Sequence, residues 1–114
     1  MNKQEIFDKV YLGLKSQNFE QSYSGGACMY RSPNGLKCAA GWLIPDEMYC
    51  EIYEGFSAEH PFIRQQMFGQ FDDQQIAFIQ ALQELHDNCA DPDDMQRILN
   101  NFAELHKLTV PQGK

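Results

Sequence analysis

The chain has 114 residues, of which 43% are hydrophobic and 22% charged, a composition typical of one globular domain with a single modest core. Its formal net charge is −7, and residues 46–94 hold twelve acidic side chains and one basic side chain, a local balance of −11. This excess of acid argues against direct nucleic-acid binding, because cationic side chains supply most of that affinity.

The first predicted element is an amphipathic helix over residues 3–17. Its apolar side chains recur at helical spacing and therefore share one face. Gly13 weakens this helix by up to about 1 kcal/mol relative to alanine, so packing has to offset that loss. A polar connection rich in Ser, Gln and Gly follows at residues 19–26. The buried face is expected to contain Ile6, Phe7, Val10, Tyr11 and Leu14.

The next segment predicts a small two-stranded β-hairpin near residues 27–38. Residues 27–31 form the first strand, residues 32–35 the turn, and the chain returns from Leu36. Pro33 presets φ for the first central position of the turn, and the Asn and Gly that follow tolerate the left-handed conformation. The hairpin should therefore bring its two ends close to each other.

Short helical stretches are predicted after the hairpin. Residues 38–43 form the first, which stops because the residue before Pro45 is pushed out of the helical region. A further helical turn opens at Pro45. A short helix capped by residues 57–59 follows, with a proline in its first turn, and ends near Gly69.

Two longer helices are predicted in the C-terminal half. Asp72 and Gln75 match a capping box, and the helix they start runs to about residue 88. Asp91 caps the last helix, with a proline at its first position. Because about three residues join these helices, we expect an antiparallel pair. The buried stripes should contain Ile76, Ile79, Leu82, Leu85 and His86 on the first helix, and Met95, Ile98, Leu99, Phe102 and Leu105 on the second.

Together these elements predict a mainly α protein of the α+β kind, with four to five helices and one small β-hairpin. Residues 1–108 are expected to form a single globular domain. Residues 109–114 contain a proline and a glycine and are expected to form a flexible C-terminal tail.

The segment at residues 28–55 also carries a recognisable pattern. It contains GLKCAAG at residues 35–41, LIPD at residues 43–46 and Tyr49, and the pairs Leu82-Gln83 and His86-Asp87 follow later in the chain. This pattern resembles a family of small uncharacterised proteins carried mainly by bacteriophages, prophages and bacteria. The resemblance covers most of residues 1–108 and implies an origin in a phage or mobile element. Trp42 departs from the family, which has smaller side chains such as Cys or Val there.

Cys38 is the first candidate for chemistry. It lies at the start of a predicted helical run beside Lys37, and both a helix N-terminus and a nearby cation favour the nucleophilic thiolate. His86, with Asp87 and Asp46, would then supply a base and an acid that orients it. Alternatively, Cys38 packs as a small buried hydrophobic side chain, and His86 is a core residue with one ring nitrogen bonded to a neighbour.

A group of polar and amphipathic side chains in the same segment is the candidate binding site. Arg31 is expected to pair with Asp46 or Glu54 and so fix the hairpin to the following helix. The alternative is that the group lines a small pocket, where a few placed polar side chains orient a ligand. The five residues are Tyr30, Arg31, Asp46, Tyr49 and Glu54.

No metal or cofactor is expected. Gaps of nine and eleven residues separate Cys28, Cys38 and Cys50, whereas structural zinc sites pair ligands two to four residues apart. The sequence has no glycine-rich phosphate loop, serine-centred elbow or paired-carboxylate signature.

These observations favour a small acidic accessory protein of phage or mobile-element type that binds another macromolecule. One version inhibits or modulates a host system. The alternative is a cysteine-dependent hydrolase or transferase that uses Cys38 with His86 and an acid; we favour the non-enzymatic function. No apolar run approaches the roughly 20 residues of a membrane-spanning helix, and the N-terminus lacks a signal-peptide core. We therefore expect a cytoplasmic protein with free thiols, located in the host cytoplasm if it is phage-encoded. We also expect a protein partner, and the acidic charge of this chain permits that partner to have a basic surface.

Overall fold

Four α-helices and three short 3₁₀ turns make up more than half of the structure, a computed structural model that describes residues 1–24, 27–57 and 59–111. Residues 25, 26 and 58, which belong to the predicted connection and the predicted cap, lie outside this description. The mainly α prediction is confirmed. The helices are α1 (Lys3–Ser16), α2 (Pro61–Met67), α3 (Asp73–Asn88) and α4 (Pro92–Leu105), and three short 3₁₀ turns occur at Ala40–Leu43, Asp46–Met48 and Glu51–Tyr53.

The predicted helix starts of α3 and α4 are confirmed by their capping hydrogen bonds. The Asp72 carboxylate accepts from the Gln75 backbone at 2.8 Å, and the Gln75 side chain accepts from the Asp72 backbone at 3.0 Å. Asp91 caps α4 by accepting from the backbone of Asp94 at 2.7 Å. Side-chain oxygens thus satisfy amides that have no partner inside the helix.

The β structure differs from the predicted hairpin over residues 27–38. β1 (Tyr23–Ser24) pairs antiparallel with β2 (Ala27–Cys28), so the predicted first strand pairs with the segment before it. The chain does reverse at residues 32–35, but only an isolated bridge between Arg31 and Lys37 closes that turn. The physical reason is competition for backbone groups, because the Tyr30 amide donates to the Glu54 carboxylate at 2.8 Å and the Cys38 carbonyl accepts from the Trp42 amide at 3.2 Å, so these two groups do not bond to each other.

Helices α3 and α4 run antiparallel, as predicted. The ring of Phe78 near the start of α3 packs in a tilted arrangement against that of Phe102 near the end of α4, with ring centroids 5.4 Å apart. Two positions in the predicted stripe of α4 are corrected: Ile98 is only half-buried, and Leu105 is 81% exposed. The chain leaves the helix at Leu105, and Leu108 packs against the core instead.

The centre of the fold is the 3₁₀ turn Ala40–Leu43, which packs against both α1 and α3. The predicted apolar face of α1 is buried there. Gly13 in α1 lies against the Trp42 ring, and a Cβ at Gly13 would come 2.3 Å from Trp42 Cδ2. Gly41 approaches the Tyr30 backbone so closely that a Cβ would lie 2.1 Å from its carbonyl oxygen. Both glycines therefore permit close packing of the turn.

The end of the described chain is tied to α1. The Gln4 amide donates to the Thr109 carbonyl at 2.9 Å and accepts from the Thr109 backbone at 3.0 Å. Residue 109 begins the segment predicted as a flexible tail, so this part is bonded to the domain. Residues 112–114 of that segment lie outside the described residues.

Candidate functional site

A cleft of about 390 Å³ lies between β2, residues 54–57 and α3. It brings together residues that are far apart in sequence, including Cys38 from the 3₁₀ region. The lining residues that carry the argument below are Cys28, Tyr30, Glu54, Phe56, Gln83 and Asp87.

The Glu54 carboxylate anchors one side of the cleft. One of its oxygens accepts from the Tyr30 backbone at 2.8 Å. The other accepts from the Arg31 backbone at 3.0 Å and from the Tyr49 hydroxyl at 2.6 Å. Burial raises the pKa of Tyr49, and its hydrogen bond to Glu54 raises it further. Glu54 thus fastens the chain after β2 to the segment that contains the later 3₁₀ turns.

The five residues predicted as a binding group do come together. The Arg31 guanidinium lies 2.8 Å from the Asp46 carboxylate, which is one of the two pairings predicted, and donates to the Ile44 carbonyl at 2.9 Å. Its Cζ atom also lies 4.6 Å from the centre of the Tyr49 ring. Glu54 accepts from the backbone of Arg31, and these contacts hold the segment after the Trp42 turn in place.

Tyr30 completes this network. Its ring is buried, and its hydroxyl donates to the Phe56 carbonyl. Burial raises the pKa of the Tyr30 phenol, and the nearby Cys38 and Glu54 add to that effect. The phenol therefore stays protonated and serves as a hydrogen-bond donor that holds one wall of the cleft.

Asp87 anchors the opposite side of the cleft. Its carboxylate accepts from the Gln83 amide at 2.7 Å and from His86 Nδ1 at 2.8 Å. The Cys28 sulfur lies within 4.8 Å of the same carboxylate. Burial, followed by the charge of Asp87, raises the pKa of Cys28 to about 12, so this sulfur remains a thiol at neutral pH. His86 and Asp87 thus meet, as the enzyme alternative required, although neighbours on a helix do not usually face each other.

His86 is a buried residue whose two ring nitrogens are both occupied. Its Nε2 atom accepts a hydrogen bond from the Ser22 backbone at 3.0 Å. Because an amide can only donate, Nε2 must carry the lone pair and Nδ1 the proton, which it donates to Asp87. The nitrogen that would act as a general base is therefore already used by the backbone.

Gln21 and Ser22 secure this arrangement from the segment before β1. The Gln21 amide donates to the carbonyls of His86 at 2.8 Å and Asp87 at 3.0 Å. These carbonyls belong to the last turn of α3, where they have no partner within the helix. Sequence reasoning treated the segment only as a polar connection, because uncharged amides carry no periodic signal.

Cys28, His86 and Asp87 each offer one potential metal ligand, and the three atoms lie within 4.8 Å of one another. The donor set does not fit a divalent ion. The His86 nitrogen that faces Asp87 carries a proton, because the other ring nitrogen accepts from the Ser22 amide, so it has no lone pair to offer a metal ion. The cluster is better described as a polar contact between β2 and α3. No sequence pattern indicates this cluster, since 58 positions separate Cys28 from His86.

Cys38 is buried, with 1% of its surface exposed. Burial raises the pKa of its thiol, and the charges of Asp87 and Glu54 raise it further, while a hydrogen bond from Gly41 at 3.3 Å lowers it. The Lys37 ammonium lies 4.6 Å from the centre of the Trp42 ring. The thiol grouped with His86 and the Asp87 carboxylate is that of Cys28. The geometry therefore gives Cys38 the features of a packed thiol.

Comparison with family models, curated proteins and solved structures found no match to this chain. Among the described residues, no helix is both long and apolar enough to cross a membrane.

Proposed function

We propose that this chain is a small acidic accessory protein of phage or mobile-element type that acts in the cytoplasm by binding another protein at the cleft. The observation that carries the proposal is the charge of the cleft. Glu54 and Asp87 both line it, and none of its described lining residues is Lys, Arg or His. A basic side chain of a partner would neutralise this charge.

The chemistry of the walls favours a cation with an apolar stem. Met29 and Phe56 contribute apolar surface beside the two carboxylates. Lys and Arg side chains place their methylene groups on apolar surface and their charge among acceptors. The guanidinium of Arg31, whose backbone amide donates to Glu54, is already paired with Asp46. Complementary charge of this kind speeds association and excludes acidic partners.

The contact between His86 and Asp87 is one that a cysteine-dependent hydrolase or transferase would use, but the state of the thiols and of His86 Nε2 argues against that alternative. Such an enzyme needs a thiolate and a base with a free lone pair. The Cys28 and Cys38 thiols have raised pKa values, and His86 Nε2 accepts from a backbone amide. Modulation or inhibition of a bacterial host system is one form that the binding function would take, and the resemblance to phage-borne proteins supports it.

Capture from bacterial lysate on immobilised protein tests the proposal. Ser57 is exposed and lines the cleft, so Ser57→Arg adds a cation at the cleft without disturbing the core. Wild type and the matched control Ser57→Ala should retain the same partner, and Ser57→Arg should lose it. Retention should also fall as salt rises from about 50 to about 500 mM, because screening weakens exposed charge pairs.

Two outcomes would contradict this assignment. If wild type retains no protein that empty resin does not also retain, the proposed binding function is wrong. Equal retention on Ser57→Arg, with all three proteins showing the same circular dichroism spectrum, would place the binding site away from the cleft.

A further inference from the structure

Several large apolar side chains are exposed on the segment that borders the cleft. We call residues 46–57 and 59–62 the 46–62 surface. This surface includes the 3₁₀ turns Asp46–Met48 and Glu51–Tyr53, none of whose residues is buried. Apolar groups in these turns are therefore in contact with solvent. The exposed fractions are 50% for Met48, 74% for Ile52, 49% for Phe56 and 50% for Phe62.

The aromatic side chains of this surface adjoin one another. The Tyr53 and Phe62 rings have centroids 5.7 Å apart, and the Phe56 and His60 rings are 5.5 Å apart. His60 caps α2 by accepting from the Phe62 backbone, so the two ring pairs meet at the start of that helix. Because Phe56 also lines the cleft, the apolar surface continues into it.

The same surface is strongly acidic. It contains five carboxylates and no Lys or Arg. Asp46 is paired with Arg31, and no ion pair of the other four is found within the described residues. Exposed apolar groups rimmed by one sign of charge are typical of a surface that binds a complementary partner. The carboxylates are Asp46, Glu47, Glu51, Glu54 and Glu59.

We infer that the 46–62 surface binds a basic amphipathic segment of the partner protein. The apolar side of that segment covers Ile52, Phe56 and Phe62, and one of its cationic side chains enters the cleft between Glu54 and Asp87. This inference rests on the proposed binding function and names the class of partner. A second copy of the chain would bring carboxylates against carboxylates, and an anionic membrane would be repelled in the same way.

Peptide binding measured by fluorescence anisotropy tests the inference. The probes are three labelled peptides of about 14 residues: an amphipathic Leu/Lys helix, a scrambled peptide of the same composition, and the amphipathic peptide with Glu for Lys. Wild type should bind the first at least about tenfold more tightly than the second and should not bind the third. Ile52→Ser and Phe62→Ser should each weaken binding of the first about tenfold, since they remove exposed apolar contacts without opening the core.

Leu105→Ser is the matched control, because Leu105 is an equally exposed apolar side chain at the end of α4, outside this surface. It should leave peptide affinity unchanged. Equal affinity for the amphipathic and scrambled peptides, or no effect of Ile52→Ser and Phe62→Ser, would overturn the inference. The inference would also be overturned if wild type forms a dimer in sedimentation, or binds anionic vesicles, and Ile52→Ser abolishes that dimer or that binding. In each case, the proposed function would still hold if wild type captures a partner from lysate and Ser57→Arg does not.

Discussion

The backbone amide of Ser22 donates a hydrogen bond to Nε2 of His86 across 3.0 Å, joining the segment before β1 to the last turns of α3. This single contact fixes the tautomer of the imidazole and directs its proton to Asp87. It turns a residue that the sequence offers as a general base into a structural bridge. The polar groups around the cleft are held by many contacts of this kind.

The effect of replacing His86 on stability should therefore depend on whether the new side chain can accept a hydrogen bond from the Ser22 amide. His86→Leu leaves the buried Ser22 amide without a partner, which should lower the free energy of unfolding by about 1–3 kcal/mol. His86→Gln retains an acceptor at a similar reach and should lose less. Urea denaturation of both variants provides the comparison. Equal losses would show that the Ser22 contact contributes little.

The contact between Gly13 and Trp42 gives a second prediction. Alanine is the better helix former by about 1 kcal/mol, so propensity alone predicts that Gly13→Ala stabilises α1. Because the new Cβ would lie 2.3 Å from the Trp42 ring, we expect a net loss of about 1–3 kcal/mol instead.

A double-mutant cycle by thermal denaturation separates these two effects. In a Trp42→Val background the ring is gone, and Gly13→Ala should become neutral or stabilising. If Gly13→Ala costs the same in both backgrounds, the ring contact does not explain the glycine.

Local features of the fold were predictable from the sequence. The caps at Asp72 and Asp91 depend on residues three positions apart, and the apolar face of α1 follows from helical spacing. The pairing of Arg31 with Asp46 was anticipated from opposite charge within one segment. Each of these depends on neighbours that the sequence itself places together.

Contacts that depend on the tertiary fold were not predictable. Gln21 reaches carbonyls about 65 positions away, and Gln83 accepts from the Ala40 backbone across 43 positions. An amide side chain carries no charge, and its position follows no periodic pattern, so the sequence does not predict such a partner. The interpretation of Lys37 as an activator of Cys38 was misleading for a related reason: adjacent side chains point in different directions, and Lys37 lies over Trp42.

The two carboxylates that contact Arg31 should differ widely in importance. Asp46 is 84% exposed, so Asp46→Asn should change stability by no more than about 0.5 kcal/mol. Glu54 accepts from two backbone amides and a hydroxyl, and Glu54→Ala should cost about 2–4 kcal/mol. Guanidinium denaturation of both variants tests this difference. Similar losses would contradict the anchoring role of Glu54.

The raised pKa of Cys28 predicts a loss of stability at alkaline pH. The folded state favours the protonated thiol, so its contribution is complete below the ordinary pKa of 9.0 and declines as pH rises toward about 12. Cys28→Ala should make the fall of melting temperature above pH 9 shallower. The same change at exposed Cys50 is the control and should leave the slope as in wild type. An unaltered slope in Cys28→Ala would mean that the pKa of this thiol is not raised in the folded protein.

The order in which the four cysteines react with iodoacetamide tests most directly whether the cleft is built for binding or for thiol chemistry. A pKa raised from 9.0 to about 12 lowers the thiolate fraction of Cys28 about a thousandfold, and Cys38 is both buried and raised in pKa. At pH 6.5, peptide mass spectrometry should show exposed Cys50 modified first, half-buried Cys28 and Cys89 later, and Cys38 only after unfolding. Modification of Cys38 before Cys50 in the folded protein would contradict the conclusion that Cys38 is a packed thiol. It would support the cysteine-dependent enzyme instead.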